Sequence, residues 1–355
     1  MNINELGQLF ITGISGLSLT EEEKSFIQEN NIGGVILFKH NYDSPAQLAE
    51  LVNEIQTLRD EYPLFISVDQ EGGRVRRFQK HFTQFPSMNT VAKHDSPKLT
   101  FEVHKILADE LSACGVNLNY SPCCDVWTNP KNSVIGDRAF GTTTESVEKH
   151  VSAAIRGLHA GNVLACAKHF PGHGDTLKDS HYDLPYIGKS KEEIEKVELS
   201  PFVKASKSRV EFIMMAHLVV DAIDKELPTS VSPKAYKYLR EQLKFKKIII
   251  TDDMEMKAIT DKFSNGEAAV KAIKAGADVV LYRSLETTKE AFFAVKEAVK
   301  LQKLKKDSLE EKIKRVFQCK KTHFKEYQPI YIPALQKLIP AKKSDEMLEQ
   351  LGLQE

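Results

Sequence analysis

The chain has 355 residues and a mass of 40.0 kDa, and 41% hydrophobic against 28% charged residues is the balance of a globular protein, not of a disordered one. Lys+Arg and Asp+Glu both number 49, so the formal net charge is zero, and a pI near 7.2 removes the general electrostatic pull of a dedicated nucleic-acid binder. A chain of this size forms about two domains or one large α/β barrel.

The first residues, Met1–Glu5, carry an acid and lead into no apolar h-region, so secretion by a signal peptide is not expected. Apolar runs of strand size then recur at Leu9–Ile14, Gly34–Phe38, Leu64–Val68, Val116–Tyr120, Val163–Ala167, Glu211–Ala216, Ile248–Thr251 and Val279–Tyr282. None approaches the roughly 20 residues of a membrane span. Between them, Ala46–Arg59 places Leu48, Leu51, Val52, Ile55 and Leu58 on one helical face; Phe101–Cys114 and Val147–His159 behave alike, with Gly115 and Gly161 as stop signals. Near-continuous apolar strands alternating with helices predict a parallel sheet covered on both faces. Eight such units make a (β/α)₈ barrel the first expectation and a doubly wound sheet the second.

Two long irregular stretches, Val126–Thr143 and Phe170–Lys189, are rich in Pro, Gly, Asp and Asn, and long loops inside a compact domain are usually functional. Lys300–Lys325 is basic with interleaved acids, the pattern of a solvated amphipathic helix. Residues 1–327 read as one barrel domain and 328–355, with Pro329, Pro333 and Pro340, as a C-terminal extension wrapping it. Five cysteines without CxxC spacing signal neither a disulfide framework nor a zinc ribbon; Cys166, inside an apolar run, reads as a buried thiol, and a reducing cytoplasm fits.

Polar residues fall at the ends of several runs: Asp69 after the third, His169 after the fifth, His217 after the sixth and Asp252 at the seventh. That is the arrangement a barrel active site requires. Lys168–His181 packs three histidines, two aspartates and two lysines into fourteen residues whose central Pro and Gly exclude helix. A metal set of His169, His173, Asp179 and His181 is one reading, disfavoured because neither His-x-His nor His-Glu-x-x-His occurs. Acid/base work by a His–Asp pair is the other. Asp179 and His181 are two apart, so an extended backbone turns both the same way, and a carboxylate beside an imidazole favours its protonated form.

Ile248–Met256 ends a β-branched run in Asp252 and Asp253. The second suits a cap on the following helix; the first, continuing the strand, suits a nucleophile or charge stabiliser. Val68–Phe78 joins Asp69, a Gly pair and Arg74, Arg76 and Arg77. It lacks phosphate-loop spacing, whereas an Asp–Arg clamp suits vicinal sugar hydroxyls. In Val134–Gly141, Asp137 and Arg138 fit an internal salt bridge or a ligand contact equally well.

Taken together the chain resembles glycoside hydrolase family 3, and within it the bacterial exo-acting β-N-acetylglucosaminidases, from about Leu6 to Phe317. The matching elements are Gly33–Phe38, Asp69–Val75, Gly136–Gly141, Lys168–Gly174 followed by Asp179-Ser180-His181, and Thr251–Met254. The Asp-Ser-His ending separates this subgroup from the family's β-glucosidases. The resemblance implies a β-N-acetylhexosaminidase that retains configuration and uses no metal or other cofactor. Asp252 would be the nucleophile, His181 the acid and then the base, and Asp179 its partner. Asp69, Arg77, Arg138, Lys168 and His169 would hold the sugar, and His173 would position the loop. A histidine acid departs from the usual carboxylic pair of retaining glycosidases.

The implied role is peptidoglycan recycling in the cytoplasm by a monomer. The partners would be N-acetylglucosamine-containing disaccharides linked to 1,6-anhydro-N-acetylmuramic acid, not nucleic acid or membrane. Two alternatives stand beside it: a phosphorylase of the same family, since a histidine repels phosphate less than a glutamate would, and an inactive sugar-sensing barrel. Cys123-Cys124 and Lys39-His40-Asn41 depart from the group's usual sequence.

Overall fold

Every one of the eight apolar runs forms a strand. The computed structural model describes residues 3–59, 61–178, 184–324 and 326–353. Its strands are, in chain order, β1 Phe10–Gly13, β2 Gly34–Leu37, β3 Phe65–Val68, β4 Leu118–Asn119, β5 Leu164–Phe170, β6 Leu177–Lys178, β7 Pro185–Ile187, β8 Phe212–Met215, β9 Val219–Val220, β10 Ile248–Asp253 and β11 Val279–Tyr282. Eight of them close into a parallel barrel, β1-β2-β3-β4-β5-β8-β10-β11, with β11 pairing back onto β1. The fold is a (β/α)₈ barrel, and the doubly wound alternative falls because the sheet has no open edge.

The predicted helices form as Pro45–Thr57, Pro97–Ala113 and Thr144–Ala160. The second begins earlier than its apolar period suggests, because Ser96 caps it and Pro97 fits the first turn, where its missing N–H costs nothing. Loop 170–189 is less irregular than its composition implies. β6 and β7 pair antiparallel within it, and β7 pairs with β9, which begins just beyond β8 at the C-terminal mouth. Lys178 and Pro185 therefore face each other, and residues 179–183, which include the predicted Asp179 and His181, lie outside the described residues.

Strand alternation decides which side chains enter the barrel. One apolar cluster gathers Ile11, Ile36, Phe65, Leu118, Tyr120, Leu164, Cys166, Phe212, Met214, Ile248, Ile250, Val279 and Leu281 inside it. The intervening residues, such as Val35, Ile66, Ala165, Ile213, Ile249 and Val280, pack outward in a second cluster with the helices. Continuing the inward phase by two residues from Ser67, Cys166 and Ile250 arrives at Asp69, Lys168 and Asp252. Three of the predicted site residues thus occupy the next rung of the same ladders.

Helix Lys306–His323 closes the opposite end, and it is more than a solvated face. Leu309, Ile313 and Val316 are buried, and Lys320 reaches inward, donating to Gln8 Oε1 at 2.8 Å and to the Gly33 carbonyl at 2.9 Å over the Phe65 ring. Burial pushes this ammonium down to about 7. The segment beyond residue 327 lies across the helices Pro45–Thr57 and Pro97–Ala113. Asn53 Oδ1 accepts from the Ile330 N–H at 2.8 Å, and the buried Glu110 accepts from the Thr83 and Ala341 N–H groups, each at 2.9 Å.

Candidate active site

At the C-terminal mouth, Lys168 extends from β5 between two carboxylates carried by the turn after β3. Its Nζ lies 2.8 Å from Asp69 Oδ1 and 2.5 Å from Glu71 Oε1, with the lysine 1% exposed. Arg77 Nη2 contacts Asp69 Oδ2 at 3.2 Å, and Arg138 donates twice to Glu71, at 2.9 and 2.8 Å. Burial alone would raise both carboxyls, but Lys168 with Arg77 holds Asp69 low, and Arg138 with Lys168 holds Glu71 far lower. The two carboxylates in turn push Lys168 up against the opposing effect of burial. The result is a fixed array of alternating charges whose Asp69 oxygens still have lone pairs for ligand hydroxyls.

The turn that carries this array depends on two glycines. Gly72 and Gly73 take φ of 103° and 55°, and a side chain at Gly72 would meet the Pro86 carbonyl at 2.6 Å. The Glu71 N–H then reaches the Val75 carbonyl at 2.9 Å.

A second buried group adjoins the first. Asp125 Oδ1 accepts the backbone N–H groups of His169 and His173 at 3.2 and 2.7 Å, while Oδ2 faces His169 Nδ1 at 2.7 Å. Arg138 Nη2 approaches His169 Nε2 at 3.2 Å. A guanidinium only donates, so Nε2 accepts and Nδ1 carries the ring proton. His169 is thereby fixed in one tautomer. Burial would raise Asp125, yet the histidines and N–H groups around it hold it well below the usual carboxylate range.

The two long loops brace each other. Asn132 Nδ2 donates to the His173 carbonyl at 2.6 Å and to Thr176 Oγ1 at 3.1 Å, and Thr128 donates to Asp175 at 2.6 Å. His173 Nδ1 lies 2.8 Å from Thr176 Oγ1. A side chain at Gly174 would collide with the Val126 carbonyl at 1.8 Å, so only glycine permits this approach. The loop is therefore braced through Thr176, and its pairing with β7 carries it to Lys178.

At the end of β10 the adjacent aspartates separate. The charge of Asp252 is felt by Tyr120 and Cys166 inside the barrel and by His173 and His217 at its mouth. Asp253 turns outward: Oδ2 pairs with Arg283 Nε at 2.8 Å, and Oδ1 accepts the Glu255 N–H at 2.9 Å. It closes a turn rather than capping the helix Lys257–Thr260, whose N-cap is Met256. Burial pushes its carboxyl up to about 7, against the pull of Arg283. His217 braces this corner, with Nε2 2.8 Å from the Asp253 carbonyl and Nδ1 2.6 Å from Ser230 Oγ.

Asp69, Arg77, Arg138, Lys168 and His169 thus come together, and Asp252 stands on the same rung of the mouth as Asp69 and Lys168. The rings of His169 and His173 are engaged with Asp125 and Thr176, while Asp179 and His181, the other two members of the four-residue metal reading, lie outside the described residues. Asp137 pairs with Arg74 at 3.5 Å, so the local Asp137–Arg138 bridge does not form. Glu71 and Asp125 escaped sequence reasoning. Glu71 adjoins the Gly pair and carried a weak signal, whereas Asp125 ends an apolar stretch with nothing local to mark it.

A family model described as the glycosyl hydrolase family 3 N terminal domain matches residues 2–319. A beta-hexosaminidase from Neisseria meningitidis serogroup C is 39% identical over 282 residues, 77% of each chain. One from Nitrosomonas eutropha is 39% identical over 283 residues, 78% of this chain and 80% of its own. The fold superposes on a family 3 β-N-acetylglucosaminidase from Paenibacillus sp. FPU-7 with a TM-score of 0.91 at 32% identity, covering 99% of this chain and 68% of that one.

Proposed function

The chain belongs to glycoside hydrolase family 3 and is a glycoside hydrolase, and from that premise we propose that it is a retaining, exo-acting β-N-acetylglucosaminidase. The observation that carries this reading is the rung shared by Asp69, Lys168 and Asp252. It sets a carboxylate on the inner wall beside a charge-fixed clamp for sugar hydroxyls. Asp252 attacks the anomeric carbon and forms a glycosyl ester as the glycosidic C–O bond breaks. His181, oriented by Asp179, gives its proton to the departing oxygen. It then takes one from the water that cleaves the ester. Asp253 is the poorer candidate, because it turns outward to Arg283 and burial pushes its carboxyl up to about 7, whereas a nucleophile must be ionised at neutral pH.

Asp69 and Arg77 hold ring hydroxyls in this scheme, and Arg138, Lys168 and His169 complete the grip on the sugar and its acetamido group. The substrate we propose is N-acetylglucosamine β-linked to 1,6-anhydro-N-acetylmuramic acid, turned over in the cytoplasm during peptidoglycan recycling. Support for that substrate and location comes from the Asp179-Ser180-His181 motif.

Paired aryl N-acetylglucosaminide and glucoside substrates test the reading, with the first-formed anomer followed by NMR. Fast release of β-N-acetylglucosamine, little turnover of the glucoside and no sugar 1-phosphate in phosphate buffer are expected. First-formed α anomer refutes retention. Accumulation of the 1-phosphate establishes a phosphorylase instead.

A further inference from the structure

We propose that Cys123 Sγ, Asp125 Oδ2 and His169 Nδ1 form an inhibitory site for a thiophilic divalent cation such as Zn²⁺. Among the described residues these three ligand atoms lie within 4.8 Å of one another, and all three residues are buried. Sγ is 3.2 Å and Nδ1 2.7 Å from the same carboxylate oxygen. Zinc–ligand bonds of about 2.0–2.3 Å in a tetrahedron separate neighbouring ligand atoms by roughly 3.3–3.6 Å, so the histidine–carboxylate contact must open by less than about 1 Å. Asp125 is prepared for this. Two backbone N–H groups hold Oδ1 in place, leaving Oδ2 to face the cation. One thiolate and one carboxylate would balance the two positive charges, with imidazole as the neutral third ligand and water as the fourth.

The proton balance explains why occupancy inhibits. Cys123 now donates its S–H to Asp125; on metal binding that proton leaves to solvent and an S–metal bond replaces it. His169 now carries its proton on Nδ1 and accepts from Arg138 at Nε2. A metal on Nδ1 moves that proton to Nε2, where it confronts the Arg138 N–H at 3.2 Å. Two donors cannot share that contact, so the Arg138–His169 link breaks and the sugar grip opens without the cation touching Asp252. This account of inhibition rests on the proposed substrate-holding role of Arg138 and His169; binding itself does not.

The test separates the two. Metal-free enzyme is titrated with Zn²⁺ during hydrolysis of an aryl N-acetylglucosaminide, alongside Cys123→Val and Cys123→Ser. In parallel, each protein is titrated with Co²⁺ and its thiolate-to-cobalt charge-transfer absorption is recorded. The expected result is zinc inhibition weakened at least tenfold in both variants, and a charge-transfer band in the native protein alone. Failure of the thiolate band to appear in the folded native protein overturns the site. A band without inhibition upholds the site but overturns the coupling to Arg138. Equal inhibition of all three proteins places the inhibitory zinc elsewhere and overturns the proposal.

Discussion

Replacing Lys168 by Met keeps an unbranched side chain one atom shorter but removes the cation that, among the described residues, Asp69 and Glu71 share. Each carboxylate keeps one arginine, Arg77 at 3.2 Å or Arg138 at 2.8 Å, yet the two negative charges then face each other with no ammonium between them. Breaking a buried ion pair on one side costs about 3–5 kcal/mol, and for a chain of this size that is a fall in melting temperature of roughly 5–10 °C. The cost must depend on pH. Asp69 and Glu71 are held below their ordinary values, so the stability they contribute is present above the unfolded carboxyl range of about 4 and is lost as pH falls toward the folded values. In Lys168→Met those folded values rise, so the difference from the native protein is full at neutral pH and shrinks below about pH 4. Adding Glu71→Gln removes one of the stranded charges and restores part of the loss. Denaturant melts between about pH 3.5 and 8, with N-acetylglucosaminidase kinetics on the same samples, provide the assay. A loss under about 1 kcal/mol that is flat with pH refutes the charge-array account.

Asp252→Asn is expected to lower turnover by roughly three orders of magnitude or more while leaving the melting temperature intact; activity near the native level removes Asp252 from the nucleophile role. His181→Ala should lose far more on alkyl glycosides and natural disaccharides than on dinitrophenyl glycosides, whose leaving group needs no proton. Comparable losses on both count against a general acid there. Asp253 binds its proton more tightly when folded, up to about 7, so it stabilises the protein at low pH and forfeits that contribution as pH rises from about 4 to 7. Asp253→Asn should therefore gain on the native protein by of order 1–3 kcal/mol between those limits, and a constant difference in urea melts excludes this. Removing residues 328–355 deletes the buried Leu335, Ile339, Met347 and Leu351, uncovers the apolar surface they pack on and strips the Ala341 N–H from the buried Glu110. Melting temperature should fall by several degrees while kcat/KM stays within about twofold; a collapse of kcat/KM in folded protein would give the extension a part in the site.

The barrel was legible because its information is local and periodic. Each strand is an apolar run, and a residue placed two beyond an inward position has no choice but the mouth, as Asp69, Lys168 and Asp252 show. Partners across space were not legible. Asp137 looked toward its neighbour Arg138, but a tight turn directs Arg138 to Glu71 instead and leaves Asp137 with Arg74. Asp125 sits at the end of an apolar stretch, and its role exists only once β5 brings His169 beside it. The inward turn of Lys320, within the basic stretch Lys300–Lys325, was hidden for a related reason: a helix pattern read alone marks lysine as outward, whereas here the end of the barrel that the helix closes offers it Gln8 and the Gly33 carbonyl. The short pairing of β6, β7 and β9 was hidden because two-residue strands carry no period at all.

The filled interior has a consequence for traffic. Tyr120, Met214, Ile250 and Leu281 are all buried beneath the rung of Asp69, Lys168 and Asp252, and helix Lys306–His323 seals the far end. The barrel interior is therefore no through-channel: what enters by the mouth must leave by it. Under the proposed mechanism, a sugar bonded to Asp252 would be last out, behind its own leaving group, and until it cleared the next molecule would wait at the door. The architecture imposes an order of departure before any loop takes part.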